Sequence, residues 1–541
     1  MKKFTIILSA ASALLLGATS CKKSFLEEKP YSSYSPLTVT DSLGFEASLV
    51  GLYQYHSGTL AWSGDQGVPS IWQVGTDVAN ATANQQGVEV PYYNYQQLTS
   101  TDRGSSIIWG RYYALINNAN IVIEGLNNAN GLGPVGKRLV DAEAKFFRAY
   151  AYNTLTTLYG RVPIILKTVT GVKLDFTRNS LDEVNNQIVS DLTTAIAGLP
   201  DLNAVGSRVN AANKPVSRAN KYMAMQLLAE VYLRMGKNDL AEQQAQNIIS
   251  SGKFSLIRSR YGVRAGGAGD YYSDMFVYGN QRRSQGNSEA IWVLEQENPN
   301  LVPGGNADAA QQRRVFGASY YAIPGMLPVD SLGGRGIGRL RLSNWVLYSL
   351  YKGNDIRNSQ YSIKRRYYYN DPAPQYASIY GKQVPFTGVD TLFRICPSTL
   401  KWGAFDPNDT FGYAMIKDFI LMRLGETYLL LAEAQVKQGK LADAANSINV
   451  LRTRANAAQV SASDMNLNFI LDERARELVA EENRRMTLMR TGTLVERALR
   501  LNANDAQKPI TGLTATNLLL PIPLTDIQIN KDAKLEQNPG Y

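Results

Sequence analysis

Long apolar runs are scarce in this chain. The longest opens it, from Phe4 to Leu16, and falls short of the roughly 20 residues that a membrane-spanning helix needs. No later stretch approaches that length, so no spanning domain is expected. Histidine occurs once, at His56, and no G-x-S-x-G elbow accompanies it to suggest nucleophilic hydrolysis. Alone and ahead of Ser57-Gly58, His56 reads as a structural or surface residue. There is no G-x-x-x-x-G-K-[ST] loop, and GGRGIGRL around Gly334, Gly336 and Gly338 misses the G-x-G-x-x-G spacing. Blocks of one charge are also lacking. The formal net charge is +10, but Lys and Arg are interspersed with acids and gather only in short clusters such as Lys364, Arg365, Arg366. That pattern describes a solvated surface better than a nucleic-acid track.

The leader has its own logic. Lys2 and Lys3 precede the apolar run and small residues follow it, as in a secretory signal. The chain is therefore expected to be exported. Ala18-Thr19-Ser20-Cys21 resembles the lipobox of bacterial lipoproteins, with Ala18 where leucine is usual. The resemblance implies that residues 1–20 are removed and that the Cys21 thiol carries lipid, with 21–36 as a tether. Acyl chains at about 0.8 kcal/mol per buried CH₂ anchor a protein without inserting it. Cys396, the only other cysteine, would then have no disulfide partner, and a Cys/His zinc site would lack ligands. Stability must come from core burial, for which 541 residues with 44% hydrophobic and 19% charged content are ample.

Helical periodicity is plain in several places. Ala144, Phe147, Ala151, Leu155 and Leu158 recur at spacings of three and four, and Gly160 with Pro163 stops that helix. Leu181, Val184, Ile188, Leu192, Ala195 and Leu199 form a second stripe, ended by Pro200. LLAEVYLRMGKNDLAEQQA and LLAEAQVKQGKLADAANSI repeat one another, pairing Leu228, Ala229, Glu230, Gly236, Lys237 and Ala241 with Leu431, Ala432, Glu433, Gly439, Lys440 and Ala444. Each reads as the two helices and Gly turn of a tetratricopeptide unit. The fold class is therefore mostly α, helix pairs in an α-α superhelical scaffold with a loop-rich region of short strands. Expected regions are 37–253 (helical), 254–408 (a loop-rich insertion) and 409–541 (helical), with 21–541 forming one globular unit. The insertion is rich in Gly, Tyr, Asn and Arg, with β-like runs such as Ala290 to Leu294 and turns such as Pro303-Gly304-Gly305.

The chain's 31 Tyr and 6 Trp suit faces that must be partly wet and partly apolar. A sugar ring asks for an exposed aromatic platform beside Asp, Asn, Gln or Arg. Trp72 with Asp77 and Asn80 has that composition, as do Tyr92, Tyr93 and Tyr95, and later Tyr271 with Tyr272, and Arg314 with Tyr320 and Tyr321. Core packing is the alternative for each ring, and Trp292 and Trp345, inside apolar runs, read as core. Glu473, Glu477 and Glu481 are spaced one helical turn apart, but Arg474, Arg476, Arg484 and Arg485 surround them. Ion pairs are the natural reading, rather than a glycosidase carboxylate pair. Asp406 to Asp409, DPND, reads as a solvated turn rather than a calcium loop.

Taken in order, CKKSFLEEKP, the aspartate of GTDVAN, NNANIVIEGL, AEAKFFRAYAYNTLTTLYGRVPI, SRANKYMAMQLLAEVYLRMGK, NSEAIWVLEQ, IKDFILMRLGETYLLLAEA, INVLRTRAN, LDERARELVAEENRRMTLMR and LLLPIPLTDIQINKDAKLEQNPGY resemble the SusD/RagB family of Bacteroidetes outer-membrane lipoproteins. The resemblance runs from Cys21 to the last residue. It implies four tetratricopeptide-like helix pairs around a variable region. It also implies a non-enzymatic, cofactor-free surface lipoprotein that captures an oligosaccharide, or in some members a peptide. Its expected partner is a SusC-like TonB-dependent outer-membrane barrel, its expected location the outer membrane, through a lipid anchor only, and no nucleic acid is involved. A secreted glycoside hydrolase is the rival from another class.

Overall fold

The computed structural model describes residues 39–61, 67–82, 87–202, 218–299, 301–302, 310–329, 333–403, 416–504 and 508–541. Cys21, the tether, Trp62, Pro303-Gly304-Gly305 and the DPND stretch lie outside the described residues. Eleven helices of seven residues or more form the frame among the described residues: α1 (Ser42–Ala61), α2 (Arg103–Gly125), α3 (Pro134–Tyr159), α4 (Leu181–Gly198), α5 (Lys221–Arg234), α6 (Asn238–Ser250), α7 (Leu424–Lys437), α8 (Leu441–Arg454), α9 (Leu467–Leu478), α10 (Arg484–Arg490) and α11 (Leu494–Asn502). The fold is mostly helical, as the periodicity predicts.

The helices begin and end for local reasons. Pro134 starts α3 without wasting a donor, and its stripe of Ala144, Phe147, Ala151, Leu155 and Leu158 is wholly buried. Gly160 ends it at φ +71°, a conformation that strains any side chain. At the start of α4, Ser180 and Glu183 form a capping box, which satisfies two orphan donors at once. Val184, Ile188, Leu192 and Ala195 are buried, whereas Leu181 in the first turn is exposed.

The repeated sequences are neighbours in space. Gly236 and Gly439, at φ +71° and +75°, turn α5 into α6 and α7 into α8, while the buried Ala229, Ala241, Ala432 and Ala444 let the paired helices approach. Across the junction α6 packs on α7. There Gln438 and Lys440 donate to Glu242 at 2.8 and 2.6 Å. Residues 251–423 thus leave and return to a continuous helical stack. The exit and entry are pinned together, because β2 (Ala290–Leu294) pairs antiparallel with β6 (Phe419–Arg423), the strand that runs into α7.

Two further pairs organise the insertion. β1 (Ala79–Ala81) pairs with β3 (Leu340–Leu342), and β4 (Ile363–Lys364) with β5 (Ser398–Thr399). The first joins the segment between α1 and α2 to the insertion.

Candidate functional site

The candidates drawn from composition fall into two groups. Asp77 is completely buried and holds Arg484 at 2.6 Å and Arg497 at 2.7 Å. Burial alone would raise its carboxyl, but the two guanidiniums hold it below the usual carboxylate range. Asn80 donates to Asn502 at 2.5 Å. Tyr92 donates to Asp102 at 2.9 Å and Tyr95 to the Gly75 carbonyl at 3.0 Å, while Arg485 donates to the Tyr95 hydroxyl. Tyr93, Tyr272, Arg314 and Tyr320 are likewise buried. Tyr272 donates to the Glu477 carbonyl and Tyr320 to that of Val329. Faces closed over in this way offer a sugar ring no surface to stack on. Trp72, Tyr271 and Tyr321 keep partial exposure. Tyr271 donates to the Arg454 carbonyl at 2.7 Å, and Trp72 packs against the main core. Trp292 is core, as expected. Trp345 is partly exposed beneath Arg497, whose guanidinium sits 5.4 Å from its ring.

His56 does not precede a turn. Ser57-Gly58 continues α1, and the imidazole is buried among Phe147, Tyr150 and Trp292, stacked on the last at 5.5 Å. Burial without a charged partner pushes it down to about 3. The expected carboxylate spacing holds only in part. Glu473 and Glu477 share Arg357 at 2.8 and 3.0 Å on α9, but α9 ends at Leu478, and Ala480 at φ +67° swings Glu481 out of the helical register. Glu477 also pairs with Arg423 at 2.5 Å and with Arg454. Burial would raise its carboxyl, yet the three guanidiniums hold it well below the usual range. Each of these acids is committed to fixed cations, so none is poised as a proton donor.

Exposed rings occur elsewhere, in RRYYYNDPAPQYASIYGKQVPF, residues 365–386. Residues 367–369 and 381–384 form a short hairpin, in which Tyr369 donates to the Lys382 carbonyl and Gly381 and Val384 donate back, at 2.8–3.0 Å. Alternation along an extended strand sends neighbours to opposite faces. Tyr367 is therefore buried, its ring tilted against that of Tyr320 at 5.9 Å, and Tyr368 is 44% exposed. Lys364 lies 4.4 Å from the Tyr367 ring, and burial pushes its amine down to about 8. The hairpin is fastened to the turn at Gly325: Asn370 and Asp371 donate from their backbones to its carbonyl, and the Asn370 side chain brackets Leu327 at 2.8 and 3.0 Å. Only glycine fits at 325. Its φ is +87°, and a Cβ would stand 3.1 Å from both Tyr369 and Ile379 and 3.4 Å from Tyr376.

The outcome is a ridge of rings. Tyr380 is 54% and Phe386 40% exposed, and Tyr321, Tyr369 and Tyr376 are partly so. Gln375, Lys382 and Gln383 stand exposed among them, and Arg335 lies over Tyr321 at 5.9 Å. Rigid apolar faces interleaved with donors and acceptors can stack on the CH face of a sugar and bind its hydroxyl rim. Sequence reasoning stopped at the basic cluster 364–366. The tyrosine run beside the Asn-Asp-Pro turn was the available signal.

Comparison with known proteins follows the same outline. A model described as "Starch-binding associating with outer membrane" matches residues 24–233, and a model of the SusD family matches 399–541. A SusD-like protein of Formosa agariphila is 24% identical, covering 96% of this chain and 95% of its own length. Among solved structures, surface glycan-binding protein A of Bacteroides thetaiotaomicron is 20% identical with a TM-score of 0.69, covering 94% of this chain and all of that one. A laminarin-binding SusD-like protein is 22% identical with a TM-score of 0.65, over 93% of this chain and all of that one. Among the described residues no helix is long and apolar enough to cross a membrane. With both helical ends matched in order and one fold shared over nearly its whole length, this chain belongs to the SusD-like family.

Proposed function

We propose that the protein is a cell-surface lipoprotein, held by lipid on Cys21, that captures an oligosaccharide on the 365–386 ridge and delivers it to a SusC-like TonB-dependent barrel. The observation that carries the reading is the set of exposed rings, Tyr368, Tyr380 and Phe386, displayed on a fastened hairpin among polar groups. The similarity to a protein solved in complex with laminarihexaose, at TM-score 0.68 and 19% identity, favours a glycan over a peptide. So does the ridge itself, which offers more ring faces than charges. Capture without cleavage fits the carboxylates of α9, all locked in ion pairs. The anchor and the barrel rest on the lipobox-like residues 18–21 and on membership of the family.

Calorimetric titration of a soluble form starting at Lys22 against graded oligosaccharides and oligopeptides tests this, with the mixture checked for cleavage afterwards. Saturable binding of intact sugar chains is expected. Binding of peptides alone, or cleavage of any sugar, would overturn it.

A further inference from the structure

A cavity of about 180 Å³ lies where the two halves of the frame meet the insertion, walled by α3, α5, α7, α9, α10 and β6. It is separate from the ridge. By the measure in which one water needs roughly 10–15 Å³, it holds far more than a bridging water, yet it is smaller than the roughly 300–1,000 Å³ of drug-sized pockets. Trp72, Trp402, Leu421 and Met486 on its lining are partly exposed, so it communicates with the surface.

Three polar atoms of its lining have no hydrogen-bond partner among the described residues: Gln73 Oε1, Gln312 Oε1 and Arg474 Nη1. All three residues are at most 7% exposed. Their other ends are fixed. Gln73 Nε2 donates to the Glu482 carbonyl at 2.6 Å, Gln312 Nε2 to that of Leu60 at 2.7 Å, and Arg474 Nη2 to Glu426 and Glu482 at 2.9 and 2.8 Å. Two acceptors and one donor are thus held in place, and leaving such groups unmet is costly. A hydroxyl both donates and accepts, so a ligand bearing several hydroxyls satisfies the whole set. The Arg474 charge is already matched by Glu426 and Glu482, so that ligand needs no charge of its own. Trp72, Trp402 and Tyr150 supply ring surface for an apolar face.

We infer that this cavity binds a single neutral polyhydroxylated ring of monosaccharide size, as a site distinct from the ridge. The inference rests on the cavity chemistry and stands whether or not the ridge binds oligosaccharide.

The test is saturation-transfer NMR, followed by calorimetry, on the full chain from Lys22 with glucose, galactose, mannose and xylose. Saturable binding of at least one sugar is expected. Gln73→Met and Gln312→Met, which keep length and remove the acceptor, should each weaken it about tenfold, while Tyr380→Ala leaves it unchanged. Silence across the panel would mean that the cavity holds water only, and binding unaffected by both Gln variants would place the sugar elsewhere. Either result overturns the inference. Because oligosaccharide capture is followed separately through Tyr380→Ala, the two sites can fail independently.

Discussion

The C-terminal frame and the 365–386 hairpin solve opposite problems with polar and aromatic residues. Around the C-terminal helices, charges are inside: Arg357, Arg423, Arg454, Arg484 and Arg497 are among the largest buried side chains, and Glu289, Glu473, Glu477 and Asp77 meet them at zero exposure. In the hairpin, Tyr368, Tyr380 and Phe386 are outside, and backbone bonds together with the Asn370 side chain carry the fastening. Desolvated ions demand several fixed partners each, so the frame accepts little change. An exposed ring on a turn held by backbone hydrogen bonds can be exchanged without disturbing the turn. Under the proposed function, that contrast divides stability from recognition between the two regions.

The strongest way to break the comparison is Glu477→Ala. It would leave Arg357, Arg423 and Arg454 short of a shared counter-charge, and breaking such a buried network costs about 3–5 kcal/mol. Denaturant unfolding should show that loss, and a change below about 1 kcal/mol would mean that these arginines find other partners.

His56 gives a second, smaller effect tied to acid. Its imidazole, pushed down to about 3, stays neutral in the fold while the unfolded chain binds a proton below about 6.5. Stability contributed by this residue is full above that value and is lost as pH falls from about 6.5 toward 3. At pH 5 the wild type should have lost about 2 kcal/mol relative to His56→Phe, measured as the change in their stability difference from pH 7. Parallel stability profiles for the two proteins would remove His56 from the account.

The hairpin should behave in the opposite manner. Tyr380→Ala is expected to shift stability by no more than about 0.5 kcal/mol while lowering oligosaccharide affinity about tenfold. Unchanged affinity in the combined Tyr368→Ala, Tyr380→Ala protein would move capture away from the ridge.

Much of the frame was legible because α3 and α4 carry clean apolar stripes and α5–α6 and α7–α8 repeat one another. α1 was not. Its buried face includes Ser48, His56, Ser57 and Thr59 beside Phe45, Leu49 and Leu52, and polar residues on the inner side erase the periodic signal. The candidate site was legible in kind but not in place. An aromatic beside an Asp or Asn looks the same in sequence whether it stacks on a ligand or, like Tyr92 with Asp102, closes a hydrogen bond in the interior.

The sequence by itself determined the helix pairs, their glycine turns and the kind of residues that a sugar would need. These are set by contacts between residues three, four or a few positions apart. The tertiary structure alone decided which rings reach solvent, that Asp77 belongs to Arg484 and Arg497, and that β1 meets β3. Those outcomes depend on segments hundreds of residues apart arriving at one place, and burial is a property of that arrival rather than of any short stretch of chain.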